Sequence, residues 1–170
     1  MTSVKPREII MDTSNIKIYH LPKKPEYIKT VSNWIYNEFA DKEKISLEEI
    51  TDKLSNRFID KLPITIIAVD NDKGCIGTVS LFENDLRTRK DFTPWLASLY
   101  VKKAHRNQSV GKILINELIK ITKGLDYTKI FLRTETASQY YFKNNWVMLE
   151  DTVDENSKST TVFYKEIQKT

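Results

Sequence analysis

The chain has 170 residues, 40% of them apolar and 11% aromatic, enough for one buried core, while 29% charged residues of both signs exclude a disordered polar chain. Four glycines exclude collagen-like and Gly-rich linker readings, and a single cysteine, Cys75, with two distant histidines, His20 and His105, leaves no internal disulfide and no zinc cluster, as expected of a cytoplasmic, metal-free chain. The net charge of +4 leaves nucleic acid, a membrane surface or a phosphorylated ligand open as partners. Arg87 to Lys112 carries seven basic residues against one acid, Asp91, so this segment holds +6 and the remainder is −2.

Residues 1–15 are polar and without periodicity, and read as an N-terminal extension without the apolar stretch of a signal peptide; the domain spans 16–170. Ile16 and Ile18 suit a short strand. Pro25 stands at a first helical position ahead of Tyr27, Ile28, Val31, Trp34, Ile35 and Phe39, the apolar stripe of an amphipathic helix. Ser46 and Glu49 form a capping-box pattern before Leu47, Ile50, Leu54 and Phe58, which predicts a second helix ending before Pro63. The β-branched run 64–69, the turn residues 71–74 and the extended run 75–82 predict a hairpin.

After a charged connection, the apolar run Pro94 to Val101 predicts a strand buried on both faces. Val110, Ile113, Leu114, Leu118 and Ile121 mark a helix, with Lys123 and Gly124 closing it. Tyr127 to Arg133 reads as a strand, 137–144 as a short helix, and Trp146–Leu149 and Thr161–Tyr164 as strands separated by a polar loop 151–159. The order β-α-α-β-β-β-α-β-α-β-β is that of a single mixed α/β domain. Strand 94–101, helix 110–122 and strand 127–133 form a crossover unit, with a ligand expected at the carboxyl end of the first strand. No span of about 18 apolar residues marks a membrane helix.

The segment Val101-Lys102-Lys103-Ala104-His105-Arg106-Asn107-Gln108-Ser109-Val110-Gly111-Lys112 joins the buried strand to a helix N-terminus. Free first-turn amides, the positive end of the helix dipole and flanking cations favour phosphate there. A basic surface loop with an ordinary helix start is the competing reading.

Arg106-Asn107-Gln108-Ser109-Val110-Gly111 resembles the R/Q-x-x-G-x-G/A loop of the GNAT N-acetyltransferase family, and Ala137 to Trp146 resembles that family's A-x-x-[LF]-Y-x-x-x-G-[FW] segment. The likeness runs from about Ile16 to Ile167. It implies a single-domain α/β GNAT-like fold, with a mixed, mostly antiparallel sheet, a splayed parallel strand pair and flanking helices. It implies acetyl-CoA as co-substrate and no metal. The pyrophosphate would sit on the backbone of Arg106, Asn107, Gln108, Ser109, Val110, Gly111 and Lys112, and the pantetheine arm along Leu99, Tyr100 and Val101, with Ala137 and Tyr141 completing the contacts. Tyr141, five residues before Trp146, takes the place of the tyrosine that protonates the departing thiolate.

Ser109 and Asn145 stand where the family uses glycine, and Thr134 where it commonly has asparagine. Serine is expected to cap the helix at 110, and asparagine to tolerate a left-handed helix end.

The implied reaction is direct attack by a primary amine of a small molecule, which requires a base, an oxyanion donor near Leu99 or Tyr100, and an acid. Glu83, at the end of strand 75–82, is the first candidate base and Asp85 the second. Six acids between Glu38 and Asp52 suit a cationic acceptor such as a polyamine or aminoglycoside, or form an ordinary helix start and solvent face; Trp34 and Phe39 are pocket candidates or core. The alternative function is a non-catalytic module of the same fold that binds CoA or a partner. No aromatic platform for nucleic acid is evident, and monomer and homodimer are both open.

Overall fold

The computed structural model describes residues 13–168, so all but the last three residues of the expected N-terminal extension lie outside the described residues. The strands are β1 (Ile16–His20), β2 (Ile64–Asp70), β3 (Gly74–Phe82), β4 (Trp95–Val101), β5 (Lys129–Thr134), β6 (Val147–Val153) and β7 (Ser159–Glu166). The helices are α1 (Ile28–Glu38), α2 (Leu47–Ser55), α3 (Val110–Gly124) and α4 (Ser138–Lys143), in the order the sequence predicts. One seven-stranded sheet runs β1-β2-β3-β4-β5-β7-β6, antiparallel throughout except where β4 meets β5.

Local chemistry accounts for most boundaries. Pro25 opens a 3-10 turn, Pro25–Tyr27, that leads into α1. The Ser46 hydroxyl accepts from the Glu49 amide at 3.1 Å, so the capping pattern starts α2. In the β2–β3 turn the Asp70 carboxylate accepts from the amides of Asp72 and Lys73, and Gly74 supplies a φ of +77°.

Three expectations are corrected. Helix α3 runs through Gly124, but the left-handed residue that ends it is Asp126, at φ 67°. The amides of Tyr127 and Asp126 return to the carbonyls of Thr122 and Lys123, a Schellman arrangement in which a short acidic side chain does the work expected of glycine. The polar stretch 151–159 is strand at both ends, because β6 and β7 pair as far as Val153↔Ser159 and Thr161 donates to Asp151 at 2.7 Å; the loop shrinks to 154–158. On an edge strand such polarity is compatible with pairing. Strand β4 is buried only from Trp95 to Ala97 and half-buried from Ser98 onward, because β5 does not accompany it that far.

The main core lies between the sheet and α3, built from Ile64, Ile66, Val79, Leu81, Leu114, Leu118, Leu132 and Phe163 among others. A second cluster packs α1 and α2 against Leu21, Ile67 and Cys75. Gly77 is where α3 comes closest to the sheet: a Cβ there would stand 3.0 Å from Leu114 Cδ1, 3.1 Å from the Tyr100 carbonyl and 3.3 Å from Val110 Cγ1. The missing side chain on β3 seats the first turns of α3 against the sheet.

Candidate active site

A cleft of about 1760 Å³ opens where β4 and β5 separate, and its wall continues from the start of α3 to the end of α2 and the 154–158 loop. The separation is built into the register. Trp95↔Phe131 is the one pair between β4 and β5 among the described residues, with the Phe131 amide bonded to the Pro94 carbonyl at 3.0 Å. Ser80 opposes Ala97 and Thr78 opposes Tyr100, so Ser98 and Leu99 together face Val79, and Ser98 has φ 53°. This bulge bends β4 away from β5. Beyond Trp95 the β5-facing edge of β4 has no strand partner, which leaves main-chain donors and acceptors available to an extended ligand.

At one end of the cleft, α3 presents its N-terminus. The first helical bond is donated by Ile113 to the Ser109 carbonyl at 3.0 Å, and none of the amides from Asn107 to Lys112 donates to a main-chain carbonyl of the described residues. Asn107 (φ 60°) and Ser109 (φ 64°) are both left-handed, which curls the backbone into a turn ahead of the helix. The expected cap from Ser109 does not form: its side chain makes no capping hydrogen bond, because the left-handed backbone turns it away from the extended geometry a cap needs. Ser109 instead adopts the conformation for which glycine is preferred. A Cβ on Gly111 would meet only Val101 Cγ2, at 3.8 Å, so nothing in the protein requires glycine there; the open space lies on the cleft side. Unbonded amides, an open approach at Gly111 and the exposed cations Arg106 and Lys112 fit a phosphate-bearing group.

Of the sequence candidates, Leu99, Val101, Arg106, Asn107, Ser109, Val110, Gly111, Lys112, Ala137 and Tyr141 line the cleft. Tyr100 and Gln108 do not; the Tyr100 ring lies 5.0 Å from Trp34 and 5.5 Å from the Arg106 guanidinium, on the α1 side. Arg106 also donates from Nε to the Val101 carbonyl at 2.9 Å, which fixes its stem beside β4. The basic excess of 87–112 is divided between two places. Lys102, Lys103, Arg106 and Lys112 surround the α3 start, whereas Arg89 is paired with Asp91 and Glu150 and stacks 3.9 Å over Phe92.

Tyr141 is buried and edge-on to Trp146, with its amide on the Ala137 carbonyl and its carbonyl accepting from the Trp146 amide. Its hydroxyl makes no hydrogen bond within the described residues, and burial, followed by neighbouring Tyr140, pushes the phenol up to about 12. It therefore holds its proton at neutral pH. Asn145 has φ 65°, the left-handed conformation expected of it, and Thr134 accepts from the Ala137 amide at 3.0 Å, so its hydroxyl organises the turn into α4.

Asp85 lines the cleft and Glu83 does not. Burial raises the Asp85 carboxyl to about 6 against the opposing pull of Arg133, whose Nε stands 3.4 Å away. Arg133 also reaches Asp154 at 3.6 Å. The Asp154 carboxyl is lowered, first by the hydrogen bond from the Lys158 amide, with the Asn156 amide and Arg133 adding to it. Of the acids between 38 and 52, Glu38 and Asp41 line the cleft, while Glu48 and Glu49 occupy the first turn of α2; Phe39 reaches the cleft and Trp34 does not.

Sequence reasoning did not single out Arg57, Arg133 or Asp154, all of which line the cleft. No spacing rule marks them, because each comes from a separate element and they meet only through the sheet order.

Among the described residues no helix is long and apolar enough to cross a membrane, and no cluster of His, Cys, Asp or Glu can hold a metal. The chain is similar in fold to an aminoglycoside 6'-N-acetyltransferase solved with coenzyme A (16% identity, 91% of this chain and 98% of that one, TM-score 0.71). It is also similar to a GNAT-family acetyltransferase from Streptococcus pneumoniae (20%, 90% and 99%, 0.65). A dodecameric spermidine N-acetyltransferase from Vibrio cholerae matches likewise (18%, 90% and 94%, 0.68). Identities this low establish a shared fold only, and no curated protein shows significant sequence similarity. The profile of the acetyltransferase (GNAT) family matches residues 28–145, well over half of the chain, and places this protein in that family of acyltransferases.

Proposed function

We propose that the protein is an acetyl-CoA-dependent N-acetyltransferase that acts on a primary amine of a small molecule by direct attack. The observation that carries this is the continuity of one cleft from the open amides of α3, along the unpaired edge of β4, to Tyr141 and Asp85. The amides of residues 107–112 hold the pyrophosphate, and Leu99 to Val101 the pantetheine arm. A main-chain amide near Leu99 or Tyr100 donates to the carbonyl oxygen as negative charge develops on it.

An amine attacks only when neutral, and a carboxylate that ionises near pH 6 is charged at neutral pH and able to take the ammonium proton, directly or through water. Asp85 fits this task better than Glu83, which lies outside the cleft. The nitrogen then bonds to the acyl carbon, the bond to sulfur breaks, and Tyr141 gives its phenolic proton to the departing thiolate. Solved proteins of this fold named for aminoglycoside and spermidine acetylation support a small amine as acceptor.

The test is thiol release from acetyl-CoA over a panel of amino acids, polyamines, aminoglycosides and peptide N-termini. Release matched by acetylated amine supports the assignment. CoA binding with no release across the panel overturns it in favour of a non-catalytic module.

A further inference from the structure

Arg89 and Arg133 are neutralised by ion pairs, Arg89 by Asp91 and Glu150, and Arg133, which lines the cleft, by Asp85 and Asp154. Arg57 has no such partner. Its Nε donates to Thr65 Oγ1 at 3.0 Å, and Thr65 is in turn bonded to Ser80 Oγ at 2.8 Å, a buried polar pair beneath the cleft floor. Its guanidinium stacks 5.1 Å over the Phe82 ring. These contacts use one N–H and one face. Nη1 and Nη2, with four donors between them, make no hydrogen bond or ion pair with the described residues, although Arg57 lines the cleft. The backbone around it is fixed too, with the Arg57 amide on the Leu54 carbonyl and the Phe58 amide on the Pro63 carbonyl.

Arg57 is half-buried, and burial lowers its pKa with no carboxylate acting to restore it. The arrangement is a fork held at its stem and left open at its tip, the geometry that takes a planar anion through two parallel N–H bonds. Resting on the acetyltransferase reading above, we propose that Arg57 binds a carboxylate of the acceptor, so that the substrate is an amine that also carries an acid, of the amino-acid class. A carboxylate suits the fork better than a phosphate dianion, because its two coplanar oxygens match the two parallel N–H bonds, and Glu38, Asp41, Asp85 and Glu155, which line the same cleft together with Lys42, Lys53 and Lys158, add negative charge that a dianion would meet. Those acids meet the ammonium end while Arg57 meets the acid end. A polycationic amine would leave the fork unfilled and face its charge.

The test compares matched acceptors, amino acids of graded length against their amides and decarboxylated amines, by thiol release with the wild-type protein, Arg57→Lys and Arg57→Ala. The expected result is a preference of about 30-fold or more in kcat/KM for the carboxylate member in the wild type. It narrows in Arg57→Lys and falls to within about threefold in Arg57→Ala, with the KM for acetyl-CoA unmoved. Equal or faster acetylation of the amides or of polyamines by the wild type, survival of the preference in Arg57→Ala, or a raised KM for acetyl-CoA in its place each overturns the proposal. Calorimetric titration of the same amino acids into the CoA-bound protein reads the anion site without turnover. Binding that Arg57→Ala abolishes, in a protein that acetylates nothing, sustains the site while the acetyltransferase reading fails; no binding and no turnover overturns both.

Discussion

Trp95 and Phe131 lie with ring centroids 5.8 Å apart and form, among the described residues, the register pair that joins the parallel strands β4 and β5. Phe92 stacks on Phe131 at 4.6 Å and 6°, and Trp95 donates to the Phe92 carbonyl, so an aromatic cluster locks the strands together at one end. The unpaired edge of β4 that the proposed chemistry uses lies beyond that point, where the strands part.

Tyr141→Phe tests the proton donor. The ring keeps its packing on Trp146 and Phe163, so stability and CoA affinity should be unchanged within error. Turnover should fall by about 100-fold at neutral pH, the low end of what a positioned acid contributes. Thiol release across pH checks this, and intact turnover at every pH removes Tyr141 from the reaction.

Gly111→Leu tests the anion loop. The protein itself has room for a side chain there, since only Val101 Cγ2 approaches a Cβ, at 3.8 Å. The melting temperature should hold while CoA affinity falls by about tenfold or more, because the new side chain occupies space beside the open amides. Calorimetry with CoA measures it.

Asp85→Asn separates stability from activity. The native state keeps the Asp85 proton up to about pH 6, whereas an unfolded chain releases it near 3.8, so between these values the native state binds more protons. Wild-type stability should fall as pH rises through that window, by up to about 2 kcal/mol once solvent access to the carboxylate is allowed for. Asp85→Asn lacks this loss, so relative to wild type it should be more stable at pH 8 than at pH 3.5, as urea melts at both pH values will show. The same variant should lose the rise in kcat/KM near pH 6 that marks the base.

Ser109→Gly addresses a conformation visible in the sequence by comparison. Serine at φ 64° carries a Cβ in the left-handed region, and its replacement should raise stability by about 0.5–1 kcal/mol in denaturant melts. Helix α3 loses no cap, since Ser109 provides none.

Ser109 and Asn145 show how far local pattern reaches. Each stands where the resembling motifs carry glycine, and each has the positive φ that glycine would supply; for Asn145 this is the left-handed helix end expected, whereas for Ser109 it replaces the expected cap. The capping box at Ser46, the β2–β3 turn and the order of elements were legible for the same reason: neighbours in sequence determine them. The ends of β6 and β7 were not, because the mainly polar residues 150–153 and 159–160 become strand only through pairing across the two strands. The acceptor side was the least legible. Asp85 meets Arg133 across 48 positions and Arg57 lies over Phe82 across 25, contacts that exist only once the sheet has assembled.

Arg133 joins the segment after β3, through Asp85, to the 154–158 loop, through Asp154, and does so from a strand that lies between them. The two walls that face the acceptor are thereby one mechanical unit: a substitution that lengthens or recharges either segment displaces the other through a shared guanidinium. If the cleft takes the acceptor proposed above, a segment transplanted singly from a relative will lose its Arg133 contact and will not carry a specificity with it.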